Sequence, residues 1–203
     1  MRSRIVIIGV VGGIASGKTI VAECFQRLGA EVIEADRLGH EVLDEPEVRA
    51  ALRARWGDAV FTAEGRVDRS AVARIVFGPP PQGCAELAFL EEVTHPRIGR
   101  RMRQRLAELA CRPELRAAVL DAPVLLEAGW DEYCDKIVFV EAPLSLRLQR
   151  ARQRGWTEAE FTAREAVQKS LDEKRNCADW VIDNSRSPQE AFRQVQQFWH
   201  SLG

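Results

Sequence analysis

Ile5-Val6-Ile7-Ile8-Gly9-Val10-Val11-Gly12-Gly13-Ile14-Ala15-Ser16-Gly17-Lys18-Thr19 is the stretch on which the fold turns. Ile5 to Ile8 form a β-branched run closed by glycine, the pattern of a strand buried on both faces of a parallel sheet. From Lys18 to Leu28, residues Val21, Ala22, Phe25 and Leu28 recur at helical spacing, and Gly29 stands where a C-terminal cap belongs. Val32-Ile33 supplies a second short strand ending at Ala35-Asp36, so the chain opens with a β-α-β unit. Gly12 to Thr19 also fit G-x-x-x-x-G-K-[ST], in the strand-loop-helix setting that this motif requires. Glycines there let successive amides converge on a phosphate chain, and the helix start adds partial positive charge. Lys18 is expected to reach the β and γ phosphates of ATP, and Thr19 to offer its hydroxyl to Mg2+. Gly9, Gly12, Gly13 and Gly17 give no register of G-x-G-x-x-G, which disfavours a dinucleotide site and hydride transfer.

Downstream the texture changes. Helical segments are expected around 37–56 and 68–77, with turns at Gly57-Asp58 and Glu64-Gly65 and no strong strand between them. Gly78-Pro79-Pro80-Pro81 breaks the chain before a long amphipathic stretch from about Ala85 to Ala110. This reads as a helical insertion into an α/β core. Ala117 to Leu120, Ile137 to Val140 and Val181-Ile182 are the remaining strand candidates, five in all with the first two. Thr157-x-x-Glu160 matches a capping box, and Ser187-Pro188-x-Glu190 combines a serine cap with proline at the first helical position. In the final helix Phe192, Val195, Trp199 and Leu202 share one face, read as core.

The 203 residues, 46% hydrophobic and 29% charged, describe a globular chain and exclude disordered, collagen-like and coiled-coil classes. A net charge of −1 supplies no global field for a polyanion, so nucleic acid is not an expected partner. The run after Arg2 and Arg4 is too short to span a bilayer and leads into Ser16-Gly17-Lys18-Thr19, poor material for a cleavage site. A cytoplasmic protein without membrane attachment is expected. Cys24, Cys84, Cys111, Cys134 and Cys177 form no CxxC pair and lie near no histidine cluster, so they are read as free buried thiols.

Two carboxylates follow strands. In an open parallel sheet the carboxyl ends of strands face the ligand crevice, which sets Asp36 on the phosphate side, as a base for an acceptor hydroxyl or as a solvated cap. Asp121 ends the third strand, either holding magnesium through water or capping the loop before Pro123. The basic series from Arg147 to Arg175 is interleaved with acids and is read mostly as solvated helix face, with one or two arginines closing over ATP. Arg97 to Arg105 form a second basic cluster, read as a wet helix face in preference to a site for a phosphorylated acceptor. His95-Pro96, taken alone, suggests a structural histidine.

Together these residues resemble the dephospho-CoA kinase family. The likeness runs through Gly12 to Thr19, Glu34-Ala35-Asp36 with His40, Gly65-Arg66-Val67-Asp68-Arg69, His95-Pro96-Arg97-Ile98 and Asp121-Ala122-Pro123-Val124-Leu125-Leu126-Glu127. It continues through Arg150, Arg154, Arg164 with Gln168, and Ala178 to Asn184. The resemblance implies transfer of the ATP γ-phosphate to the ribose 3′-hydroxyl of dephospho-CoA, with Mg2+. Another small-metabolite or nucleoside monophosphate kinase on the same core is the alternative; a P-loop switch is disfavoured because N-K-x-D is absent.

The implied fold is an α/β P-loop NTPase core with a parallel five-stranded sheet, a helical substrate-binding insertion and a short helical lid. The core takes 1–36, 93–149 and 177–203, the substrate domain 37–92, and the lid 150–176. The nucleotide site would comprise Gly12, Gly13, Ile14, Ala15, Ser16, Gly17, Lys18, Thr19, Ile20 and Arg150. Asp36, His40, Arg69, His95 and Pro123 would bind the acceptor. Asp36 matches the proposed base and Arg164 the lid arginine, acting with Lys18 in catalysis; Thr19 and Asp121 would meet the metal. A monomer or weak homo-oligomer is expected, with ATP and dephospho-CoA as small-molecule partners. Ala15 stands where the family usually has glycine and is expected to keep a negative φ.

Overall fold

Ile8 and Val10 have no solvent exposure, and the strand that carries them lies at the centre of a sheet. A computed structural model describes residues 5–202; Arg2 and Arg4 lie outside the described residues. Its strands are β1 (Val6–Gly12), β2 (Glu31–Glu34), β3 (Ala117–Asp121), β4 (Lys136–Glu141) and β5 (Trp180–Asp183). They pair in the order β2-β3-β1-β4-β5, every pair parallel. Val10 and Glu34 are each in register with Asp121, and Gly12 with Val140. The carboxyl ends of all five strands therefore open on one edge, where a parallel α/β sheet builds its ligand crevice.

The chain divides into two compact units, one of residues 1–35 and 103–203 and the other of 36–102. In the first, α1 (Lys18–Arg27) and α9 (Pro188–Ser201) cover the sheet. Phe25 meets Phe198 edge to face, with centroids 5.8 Å apart, and Val195 and Trp199 are buried on the face expected for the last helix. Each such side chain contributes about 1.5–3 kcal/mol by leaving water. Three further helices, α6 (Leu144–Gln153), α7 (Glu158–Ala166) and α8 (Leu171–Asn176), belong to this unit. The Thr157 box forms in full, with Glu160 N donating to the hydroxyl (3.2 Å) and Thr157 N to the carboxylate (2.8 Å). Ser170 and Glu173 make a second capping box, a signal the sequence reading passed over.

The second unit holds α2 (Ala35–Leu43), α3 (Pro46–Trp56), α4 (Arg69–Val76) and most of α5 (Gln82–Ala110). The helical run expected over 37–56 is interrupted at Asp44-Glu45, because proline begins α3 at its first position and restricts the residue before it to extended backbone. Between α3 and α4 a short antiparallel bridge, Phe61 to Val67, stands where no strand was anticipated. Pro96 lies inside α5, where its ring removes a backbone donor; beside it Arg97 Nη1 donates to Val93 O (2.7 Å). The unit extends along α5 to Met102, whereas the sequence reading ended the insertion at residue 92. The reading of the cysteines as buried is corrected: only Cys24 is buried, while Cys84, Cys111 and Cys177 are exposed. These three sit on the outer faces or ends of helices, where no apolar layer covers them.

Candidate active site

Where β1 ends, the backbone curls. Gly12 has φ 152°, Ala15 58° and Gly17 97°, and residues 12–17 are buried. The expected negative φ at Ala15 is overturned. The loop turn imposes the left-handed region here, at a cost of about 1–2 kcal/mol to an alanine. What holds it is a small apolar cluster in which Ile14 and Ala15 pack with Ala151 and Phe161, and with Leu148 and Trp156 at its margin. Ile14 and Ala15 thus commit their side chains to packing and have only backbone to offer a ligand. Sequence spacing gives no hint of this contact, since the partners lie more than a hundred residues away.

The opposite flank is polar. Asn184 Nδ2 donates to Ser16 O (2.8 Å), and Arg150 donates to the same carbonyl (2.9 Å) and to Asn184 O (3.0 Å). Peptide planarity then directs the Gly17 N–H to the other side of the loop. A Cβ on Gly17 would collide with the Asn184 amide, and one on Gly13 would lie 2.7 Å from Arg147 Nη1, so neither position admits a side chain without displacement. Lys18 Nζ donates to Gly12 O (3.2 Å) and Gly13 O (3.1 Å). Ser16 Oγ is buried and has no hydrogen-bond partner among the described residues. Ile20 is 37% exposed beyond the loop.

At the mouth of the loop Thr19 Oγ1 donates to Asp121 Oδ2 (3.2 Å), bringing together the two residues expected to meet a metal. Pro123 lies half-buried in the segment after β3. Asp36 is exposed, the second residue of α2, and follows by two positions Glu34, which is in register with Asp121.

The remaining acceptor candidates belong, with Asp36, to the second unit. Arg69 Nη1 lies 2.5 Å from His40 Nε2. Guanidinium only donates, so Nε2 accepts and the imidazole proton of that pair sits on Nδ1. The two line a cleft of about 280 Å3 with Asp44, Thr62 and Arg66. His95 lies within α5, where burial holds its imidazole below the usual histidine range.

Arg164 stacks on Trp156, guanidinium to ring centroid 4.5 Å. Burial, and then neighbouring Arg154, lower the pKa of Arg150 from the usual arginine value. Reading the basic series as mostly solvated misses Arg147 and Lys174, which are 3% and 2% exposed. Arg147 pairs with Glu165 and lies over Phe161, 5.5 Å to the centroid. The signal available was its helical phase, since Arg147 and buried Ala151 fall on one face of α6. A second cleft of about 180 Å3 adjoins the loop, lined by Gly13, Glu141, Arg147, Asp172 and Arg175.

Comparison with known proteins places this geometry among relatives. A family model described as dephospho-CoA kinase matches residues 6–190. A dephospho-CoA kinase of Geobacter metallireducens is 40% identical over 195 residues, covering 95% of this chain and 94% of that protein. A solved Thermus thermophilus structure superposes with TM-score 0.81 and 32% identity over 98% of both chains. Another, a dephospho-CoA kinase from Campylobacter jejuni, gives TM-score 0.70 and 26% identity over 97% of this chain and 96% of that one.

Proposed function

The chain belongs to the dephospho-CoA kinase family, and on that premise we propose how its own residues carry the reaction. It is an ATP-dependent phosphotransferase, moving the γ-phosphate of ATP to the ribose 3′-hydroxyl of dephospho-CoA to give CoA and ADP. The observation that carries the residue assignment is the Thr19–Asp121 contact at the mouth of a buried loop. It sets a hydroxyl and a carboxylate beside the start of α1, whose amides and partial charge suit a triphosphate.

In this reading the amides of residues 12–19 and Lys18 bind the phosphate chain, and Lys18 exchanges the carbonyls of Gly12 and Gly13 for phosphate oxygens. Arg150 acts from behind, holding the carbonyl of Ser16 outward. Asp36 accepts the proton of the 3′-hydroxyl, or orients that hydroxyl for in-line attack. Arg164 offsets charge on the transferring group. His40, Arg69, His95 and Pro123 contact the acceptor.

Thr19 and Asp121 fit a magnesium site, because both offer hard oxygens and lie within hydrogen-bond distance of each other. They would hold Mg2+ directly or through water, and the chemistry this ion supplies is neutralisation of phosphate-oxygen charge. The reading extends to a cytoplasmic protein, monomeric or weakly self-associating. Five cysteines without a disulfide suit a reducing compartment, and no helix of the described residues is long and apolar enough to cross a membrane.

Steady-state assay with ATP, magnesium and dephospho-CoA tests the assignment. Lys18→Ala should lower kcat by roughly a hundred- to a thousandfold, the usual loss when a preorganised charge is removed from a transition state. A folded variant with wild-type turnover would overturn the role given to Lys18.

A further inference from the structure

Lys174 is 2% exposed, and no step assigned above uses it. Its ammonium pairs with Glu127 (3.0 Å) and donates to Gln168 Oε1 (2.8 Å). The same Glu127 oxygen accepts from the backbone amide of Lys169 (2.8 Å), while the second carboxylate oxygen is buried with no hydrogen-bond partner among the described residues. A buried charge with a half-satisfied partner is not a device for stability, because an apolar pair of similar volume serves as well or better. What the arrangement does accomplish is geometric. Glu127 stands six residues past Asp121 in the segment that follows β3; residues 167–170 form the turn between α7 and α8, and Lys174 lies on α8. Ser170 and Glu173 close that turn on themselves through the second capping box. Arg164 lies on α7, four residues before Gln168.

We propose that Glu127 is a positioning residue: through the Lys169 amide and Lys174 it fixes the junction of α7 and α8 to the segment after β3, and so sets where Arg164 is delivered. The inference rests on the lid role given to Arg164 under the proposed function. In this role Glu127 acts through Lys169 and Lys174 and is assigned no contact with nucleotide or acceptor. An arm that bears a charged group needs a pivot that stays in place, and displacement of a reacting group by about 1 Å can lower a rate roughly a hundredfold. A buried, multiply bonded carboxylate supplies such a pivot where a hydrophobic contact would allow sliding.

The test uses the full-length protein and three variants. Glu127→Leu/Lys174→Met removes both charges together and keeps the volume, so it should fold with a melting temperature at or above that of the native chain. Its kcat should nevertheless fall between ten- and a hundredfold, roughly, with KM for dephospho-CoA unchanged. Arg164→Ala should lose a comparable factor, and the triple variant should lose little more than Arg164→Ala alone, because the clamp acts through that arginine. Native kcat in the folded Glu127→Leu/Lys174→Met variant would overturn the proposal, as would losses that multiply in full in the triple variant. If Arg164→Ala alone leaves kcat unchanged, the lid reading fails instead, and the two failures are thereby distinguished. Should the double variant not fold, amide exchange on the native protein decides. The Lys169 amide should be protected without nucleotide, whereas residues 158–166 gain protection on adding a non-hydrolysable ATP analogue. Rapid exchange at Lys169 would refute the clamp.

Discussion

At the scale of single residues, the loop shows how a local penalty is offset by packing. Ala15 holds φ 58° and is only 6% exposed, packed with Phe161 and Ala151. Replacing it with glycine relieves about 1–2 kcal/mol of left-handed strain. The same change removes one buried methyl, worth about 0.8 kcal/mol. It also adds unfolded-state freedom worth about 0.5–1 kcal/mol. These terms nearly cancel, so Ala15→Gly should alter unfolding free energy by less than about 1 kcal/mol. Ala15→Val, a β-branched residue forced to the same dihedral, should cost more than about 2 kcal/mol, as denaturant titration can measure. Asp36 invites a kinetic test. If it handles the acceptor proton, Asp36→Asn lowers kcat by roughly a hundred- to ten-thousandfold and leaves ATP affinity within about twofold. Loss of ATP affinity with turnover intact would assign Asp36 to nucleotide binding instead.

At the scale of elements, α5 couples its irregularity to a titrating group. Pro96 interrupts the hydrogen-bond ladder, and the preceding His95 is kept neutral by burial. Its folded pKa lies below the ordinary value of 6.5, so as pH falls through that value the unfolded chain binds a proton that the folded chain refuses. Stability contributed by neutral His95 is therefore complete above the unfolded pKa and declines below it. Melting temperatures between about pH 5 and pH 7 should fall with acid more steeply for the native chain than for His95→Gln. Equal slopes would mean that His95 binds its proton as readily in the folded chain as in the unfolded one. The two capping boxes carry a different lesson. Thr157 with Glu160 was legible, and Ser170 with Glu173 follows the same rule, yet α8 spans only six residues and leaves too little periodicity to announce itself.

At the scale of the whole molecule, a broad apolar layer lies between the sheet and its covering helices. Phe25 has no exposure and touches both Phe198 and Trp199. Phe25→Ala should cost about 3–5 kcal/mol, enough to unfold a large share of a marginally stable domain, and thermal or chemical unfolding would register it. A cost under about 1 kcal/mol would contradict the packing described. The fold class and the phosphate loop were readable in advance because both rest on local rules: β-branched runs need burial on two faces, and a phosphate chain needs glycines, a lysine and a helix start within eight positions. The positions of Arg147, Arg150, Asn184, Glu127 and Lys174 were not readable as a set. Their partners lie far off in the chain, and although helical phase sets Arg147 on the buried face of α6, no local pattern tells what a buried cation holds. Ala15 makes the same point in reverse, since its dihedral is dictated by a turn and by Phe161, neither of which its neighbours in sequence reveal. Local pattern alone thus determined the strands, the loop and the kind of chemistry it serves. Which cations are buried, what they hold and how the loop is braced were decided only by tertiary structure, because those facts depend on contacts between distant segments.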